Sequence, residues 1–92
     1  MDEAAKLEIL KLQLNRHGTT QDPLLLHYLK AAGGKIAQMG ITLTDSASDA
    51  ELQIAYAAHL FRNRANPDAQ LSPDLSYDLR NRLFSEKGRV SE

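Results

Sequence analysis

The stretch SDAELQIAYAAHLFRNR, residues 48–64, decides the fold. It begins with Ser48-Asp49-Ala50-Glu51, a capping-box pattern that predicts the start of a helix ending near Arg64. Apolar side chains then cover nearly every side of the helix: Leu52, Ile54, Ala55, Tyr56, Ala57, Ala58, Leu60 and Phe61. A helix that is apolar all round is typical of a buried position. We therefore expect this helix to lie at the centre of a helical bundle.

A second helix is predicted upstream, between the Thr19–Pro23 turn and Gly40. A Thr or Asp cap with Pro23 in the first turn is a typical helix start. Its apolar residues recur at spacings of four and three: Leu25, Leu29, Ala32, Ile36 and Met39. Gly33-Gly34 lies inside this stripe, which predicts either a bend of the helix or the close approach of another backbone.

The two outer helices complete the bundle. The first is predicted from Asp2 to His17, with Gly18 as its stop, and its stripe consists of Leu7, Leu10 and Leu14. The last begins with Ser72 as cap and Pro73 in the first turn, and it is predicted to end at Gly88. Its stripe consists of Leu75, Leu79 and Leu83, with Tyr77 and Phe84 alongside. The fold class is therefore all-α, a small bundle of four helices with a buried central third helix.

Composition limits the classes of function. The chain has 92 residues, which fits a single domain spanning 1–92 with a loose tail over about 89–92. The net charge of -1 argues against a dedicated nucleic-acid binder, and the absence of cysteine excludes disulfides and thiolate metal sites. We expect neither a signal peptide nor a membrane span, so a cytoplasmic protein is the default interpretation.

No catalytic or cofactor site is predicted. His17, His27 and His59 are not three or four residues apart, so they form no helical metal pair. No Gly-x-Ser-x-Gly motif supports a nucleophilic serine, and Gly33-Gly34-Lys35 lacks the remaining features of a phosphate-binding loop. We therefore expect a binding protein without metal or cofactor rather than an enzyme.

The most informative charges are the six basic residues of the second half: Arg62, Arg64, Arg80, Arg82, Lys87 and Arg89. Cations near helix C-termini complement the helix dipole, and this is the simplest interpretation. Arginine also suits a protein interface, and contact with DNA is the third possibility. A helix-turn-helix broken at Gly33-Gly34 is disfavoured, because the segment 35–39 would be a short recognition helix with one basic residue.

The order of these segments resembles the small head–tail connector proteins of tailed bacteriophages, also described as DNA-packaging or head-completion adaptors. The likeness covers about Leu7 to Lys87. It includes the turn QDPLL (21–25), the ending AHLFRNR (58–64) of the Ala-rich central helix, and the final segment LSPDLSYDLRNRL (71–83). These are patterns of small, apolar and basic positions rather than a catalytic signature.

The resemblance implies a structural protein of the virion. It would form a ring of about twelve copies beneath the portal, extend the DNA channel and link the capsid to the neck and tail. DNA would pass through without sequence-specific binding. The six basic residues become candidates for the portal or subunit interface, with the segment 80–89 as the expected portal contact. The alternative is a small helical regulator that binds DNA or another protein.

Overall fold

The computed structural model describes residues 2–66 and 68–90, with side chains described up to residue 86. Four helices form the bundle: α1 (Glu3–Gln13), α2 (Asp22–Gln38), α3 (Ala47–Arg62) and α4 (Pro73–Val90). The described residues contain no strand. The prediction of an all-α bundle of four helices is confirmed.

Helix α3 is the centre of the bundle, as its sequence predicts. It packs against α1, α2 and α4, and α2 forms its most extensive contact. Ile54, Ala57, Ala58 and Phe61 are buried along it. The small Ala side chains let neighbouring helices approach closely, and the larger Ile54 and Phe61 fill the space between them.

The start of α3 lies two residues before the predicted position. Its cap is Ser46, whose hydroxyl accepts a hydrogen bond from the Asp49 backbone N–H at 3.2 Å. The expected cap, Ser48, lies inside the first turn. The helix also ends at Arg62 rather than Arg64.

Helix α1 ends four residues before the predicted His17. Asn15 adopts the left-handed conformation (φ 58°) that usually terminates a helix at glycine. The Arg16 N–H then donates to the Lys11 carbonyl at 2.9 Å, and the Asn15 N–H donates to the Leu12 carbonyl at 3.2 Å. This pair of bonds is a Schellman motif, so Asn15 performs the stop that we expected of Gly18.

Helix α2 runs unbroken through Gly33-Gly34. Its cap residue is Gln21, without a side-chain hydrogen bond, rather than the expected Thr or Asp. The helix ends at Gln38, and Gly40, the predicted stop, follows two residues later with φ 97°. The predicted apolar stripe is buried except for Met39, which is 37% exposed.

Helix α4 begins as predicted, because the Ser72 hydroxyl accepts the Leu75 N–H at 3.2 Å and Pro73 occupies the first turn. It attaches to the bundle through buried Leu75 and Leu79 and half-buried Leu83. The expected end at Gly88 is wrong, because the helix extends to Val90. Of the predicted tail, 91–92 lies outside the described residues, as does position 67 in the predicted loop before α4.

Candidate functional site

Of the four predicted interface arginines whose side chains are described, three make contacts within the chain. Arg62 donates from Nη2 to the Gln13 carbonyl at 3.2 Å, which ties the end of α3 to the end of α1. Arg64 donates from Nη1 to the Phe61 carbonyl at 2.6 Å, and its guanidinium carbon lies 4.1 Å from the centre of the Phe61 ring. Both side chains therefore make contacts within the chain, although both residues are exposed.

Arg82 is largely enclosed, with a side chain that is 17% exposed. Its Nη2 donates to the Thr42 carbonyl at 2.9 Å and to Asp49 Oδ2 at 3.0 Å, and it lies 3.3 Å from Glu86 Oε1. Arg82 thus links α4 to α3 and to the connector between α2 and α3. It contributes little free charge to an interface, because two carboxylates neutralise it.

Among the predicted interface residues whose side chains are described, Arg80 is the one that is free for a partner. It is exposed and makes no hydrogen bond or ion pair with any other described side chain or backbone group. Lys87 and Arg89 belong to α4, and their side chains lie outside the described part of the chain. The interface role of the six basic residues stays a prediction.

Asp49 is a buried carboxylate that accepts three hydrogen bonds through one oxygen. Its Oδ2 accepts the Thr44 N–H at 2.7 Å, the Thr44 hydroxyl at 2.8 Å and Arg82 Nη2 at 3.0 Å. Burial alone would raise the pKa of Asp49, but the hydrogen bonds from Thr44 and the charge of Arg82 outweigh it and hold the pKa below the usual 3.8. The carboxylate therefore stays ionised and serves the structure.

A second polar connection crosses the α2–α3 contact. Gln53 donates from Nε2 to the Leu29 carbonyl at 2.8 Å and accepts from Lys6 Nζ at 2.8 Å. A Cβ atom at Gly33 would lie 3.2 Å from Gln53 Nε2. Gly33 therefore leaves room for this amide, which explains one of the two glycines: the close approach is by a side chain.

An open groove runs between α1 and α4, with α3 as its floor. Its volume is about 700 Å³. Ile9 of α1 and Leu52 and Ala55 of α3 supply half-buried apolar surface, while Glu51 of α3 and Asp78 of α4 are exposed carboxylates. Neither carboxylate forms an ion pair or hydrogen bond with another described residue. We name this feature the α1–α4 groove.

The outward side of α4 carries an aromatic stripe that the bundle does not use. Tyr77 is 64% exposed and Phe84 is 67% exposed, and their spacing of seven places them on one line along the helix with Arg80 between them. We name Tyr77, Arg80 and Phe84 the α4 stripe. Sequence reasoning placed the two aromatic residues beside the buried stripe, although their spacing could have shown a second, outward face.

The histidines show no common site. His17 and His27 are exposed, and His59 is half-buried, with its backbone carbonyl accepting Asn63 Nδ2 at 2.9 Å. Among the described residues, no group of three or more His, Asp or Glu side chains could hold a metal ion. In the same part of the chain, no helix is long and apolar enough to cross a membrane.

No protein-family model, curated protein or solved structure matches this chain. The resemblance to head–tail connectors therefore stays a prediction that depends on the order and composition of the helices.

Proposed function

We propose that this protein is a structural adaptor at the head–tail junction of a tailed bacteriophage. Copies of it form a ring beneath the portal, extend the channel for DNA and present a surface to the next neck or tail protein. Its sites of action are protein contacts, and the virion is its place of function. The resemblance of residues 7–87 to head–tail connectors is the origin of this proposal.

The α4 stripe is the observation that carries the proposal. Two aromatic side chains, each about two-thirds exposed, face away from the core on a well-formed helix. Aromatic residues and arginine are the residues enriched at the centres of protein interfaces. The fold is complete without the stripe, so its exposed apolar surface supports a role in assembly.

The portal contact is assigned to the C-terminal half of α4. This segment continues as a helix to Val90 and carries Lys87 and Arg89 in its last two turns. Of the other predicted interface residues, Arg80 is free within the described chain, whereas Arg82 is held by Asp49 and Glu86. We therefore narrow the basic portal contact to Lys87 and Arg89, and leave the free Arg80 for a contact between subunits.

The distribution of charge also suits a channel through which DNA must move. The chain has a net charge of -1, and Arg62, Arg64 and Arg82 all make contacts within the chain. Binding to DNA grows with the number of phosphates that free cations neutralise. A chain of near-zero net charge is expected to retain DNA weakly, which is what passage requires.

Native mass spectrometry of the protein, alone and mixed with the portal protein of the same genome, tests the proposal. We expect a complex of about twelve copies on the portal ring. A parallel titration with duplex DNA at low and high salt tests the regulator alternative. Tight, salt-sensitive DNA binding together with no portal complex would replace the adaptor by the regulator.

A further inference from the structure

We propose that the α4 stripe of one copy lies in the α1–α4 groove of a second copy, so that subunits associate head to tail. The inference rests on the proposed function for its biological role, because it identifies the subunit contact of the ring. It goes beyond that function by naming the two surfaces that meet. The occupant of the groove is thus another copy of this chain.

The stripe has the form of a helix that binds in a groove. Such helices use anchor side chains at spacings of three, four and seven along one face. Tyr77 and Phe84 are seven residues apart and exposed, and Arg80 lies three residues after Tyr77 and four before Phe84. The three side chains therefore point in one direction over two turns of α4.

The groove offers the complementary surface. Ile9 on the α1 wall and Leu52 and Ala55 on the α3 floor are half-buried and can be covered further by aromatic rings. Within one chain the groove separates α1 from α4. The α4 helix of a second copy, lying in the groove, would contact both of them.

The charges are also complementary. Arg80 lies between the two aromatic anchors and has no partner in the described part of its own chain. Glu51 on the α3 floor and Asp78 on the α4 wall are exposed carboxylates that also have no described partner. Arginine pairs well with carboxylates through its planar fork, so a seated stripe brings unpaired opposite charges together.

The two surfaces lie on different sides of α4, which determines the kind of assembly. Asp78 and Ser85, which line the groove, each follow a stripe residue by one position and so point about 100° away from it. A contact between two different surfaces of the same subunit is heterologous, and it continues from copy to copy until a ring closes.

Disulfide cross-linking tests this contact directly, because the chain contains no cysteine of its own. One double variant carries Tyr77→Cys with Gln13→Cys, and the other carries Tyr77→Cys with Ser48→Cys; Gln13 and Ser48 are exposed residues of the groove. The two groove positions cover both directions in which the stripe could lie. In the matched controls, Lys30→Cys replaces Tyr77→Cys; Lys30 is an exposed residue of α2.

Each protein is oxidised alone and on the portal, then separated without reducing agent. We expect at least one stripe variant to give a ladder of trimers and longer species, and the Lys30→Cys controls to give none. No ladder above the control, in either condition, overturns the inference. Dimers without longer species also overturn it, because they indicate two-fold pairing.

The outcomes separate this inference from the proposed function. Portal binding without a stripe-dependent ladder leaves the adaptor in place and removes the stripe–groove contact. A stripe-dependent ladder without portal binding supports the stripe–groove contact and removes the adaptor function. If Phe84→Ser and Arg80→Glu abolish portal binding while no ladder forms, the stripe contacts the portal itself, and the inference fails.

Discussion

At the scale of single residues, Asp49 shows how one carboxylate joins separate parts of the chain. It lies in the first turn of α3, where a negative charge interacts favourably with the helix dipole. It also accepts hydrogen bonds from Thr44 in the connector and from Arg82, 33 residues further along. The capping-box pattern identified Asp49 as part of a helix start, but the tertiary partner on α4 is not visible from local sequence.

We expect Asp49→Asn to lower the free energy of unfolding by about 2–4 kcal/mol, because Arg82 would lose a charged partner in a largely enclosed site. Glu51→Gln is the matched control on the same helix, since Glu51 is exposed, and it should change stability by less than about 0.5 kcal/mol. Urea unfolding followed by circular dichroism measures both. Equal stability of the two variants would show that the Asp49 network contributes nothing.

The same network predicts how stability depends on pH. Since the pKa of Asp49 is lowered in the folded protein, its contribution is fully present above the unfolded value of 3.8 and is lost as the pH falls through the folded pKa. Asp49→Asn should therefore flatten the decline in stability below about pH 4. Urea midpoints between pH 2 and pH 6 would reveal this; parallel curves for wild type and variant would contradict it.

At the scale of the helices, patterns of apolar residues predicted all four elements, whereas several of their ends were misplaced. The end of α1 depends on Asn15 adopting positive φ, although Gly18, which also has positive φ (81°), is the residue type that more often does so. The start of α3 depends on whether the hydroxyl of Ser46 or of Ser48 turns towards the helix. Such choices are made by local hydrogen bonds and by packing, which periodicity does not describe.

The paired glycines of α2 give a sharp test at this scale. Gly34→Ala should stabilise the protein by about 0.5–1 kcal/mol, because alanine favours the helix and nothing lies within 4 Å of the new Cβ. Gly33→Ala should gain less or destabilise, because its Cβ would crowd Gln53 Nε2 at 3.2 Å. Thermal melts of the two variants make the comparison. A larger gain from Gly33→Ala would contradict the proposed need for space.

At the scale of the whole molecule, the buried centre was predictable and the surface was less so. An apolar sequence on every side of one helix determines that the helix is enclosed, whatever packs against it. The surface sites depend on pairs far apart in sequence, such as Arg62 with the Gln13 carbonyl and Arg82 with Asp49. The predicted interface arginines with described side chains therefore comprise three that make contacts within the chain and one, Arg80, that is free.

The central position of α3 predicts a strong contrast between two substitutions. Ala57→Asp should unfold the domain, because an unpaired buried charge costs several kcal/mol, comparable to the stability of a small domain. The Ala47→Asp protein should fold normally, because position 47 is the exposed first residue of the same helix and a negative charge there interacts favourably with the helix dipole. Circular dichroism spectra and melts distinguish them; a folded Ala57→Asp protein would remove α3 from the core.

The outward direction of the α4 stripe has an evolutionary consequence. Leu75 and Leu79 hold α4 to the bundle from one side, while Tyr77 and Phe84 project from the other. Substitutions at exposed positions usually change folding stability very little. Selection for a new partner can therefore reshape the stripe independently of selection for a folded bundle, so lineages can diverge in what they bind while retaining the same four helices.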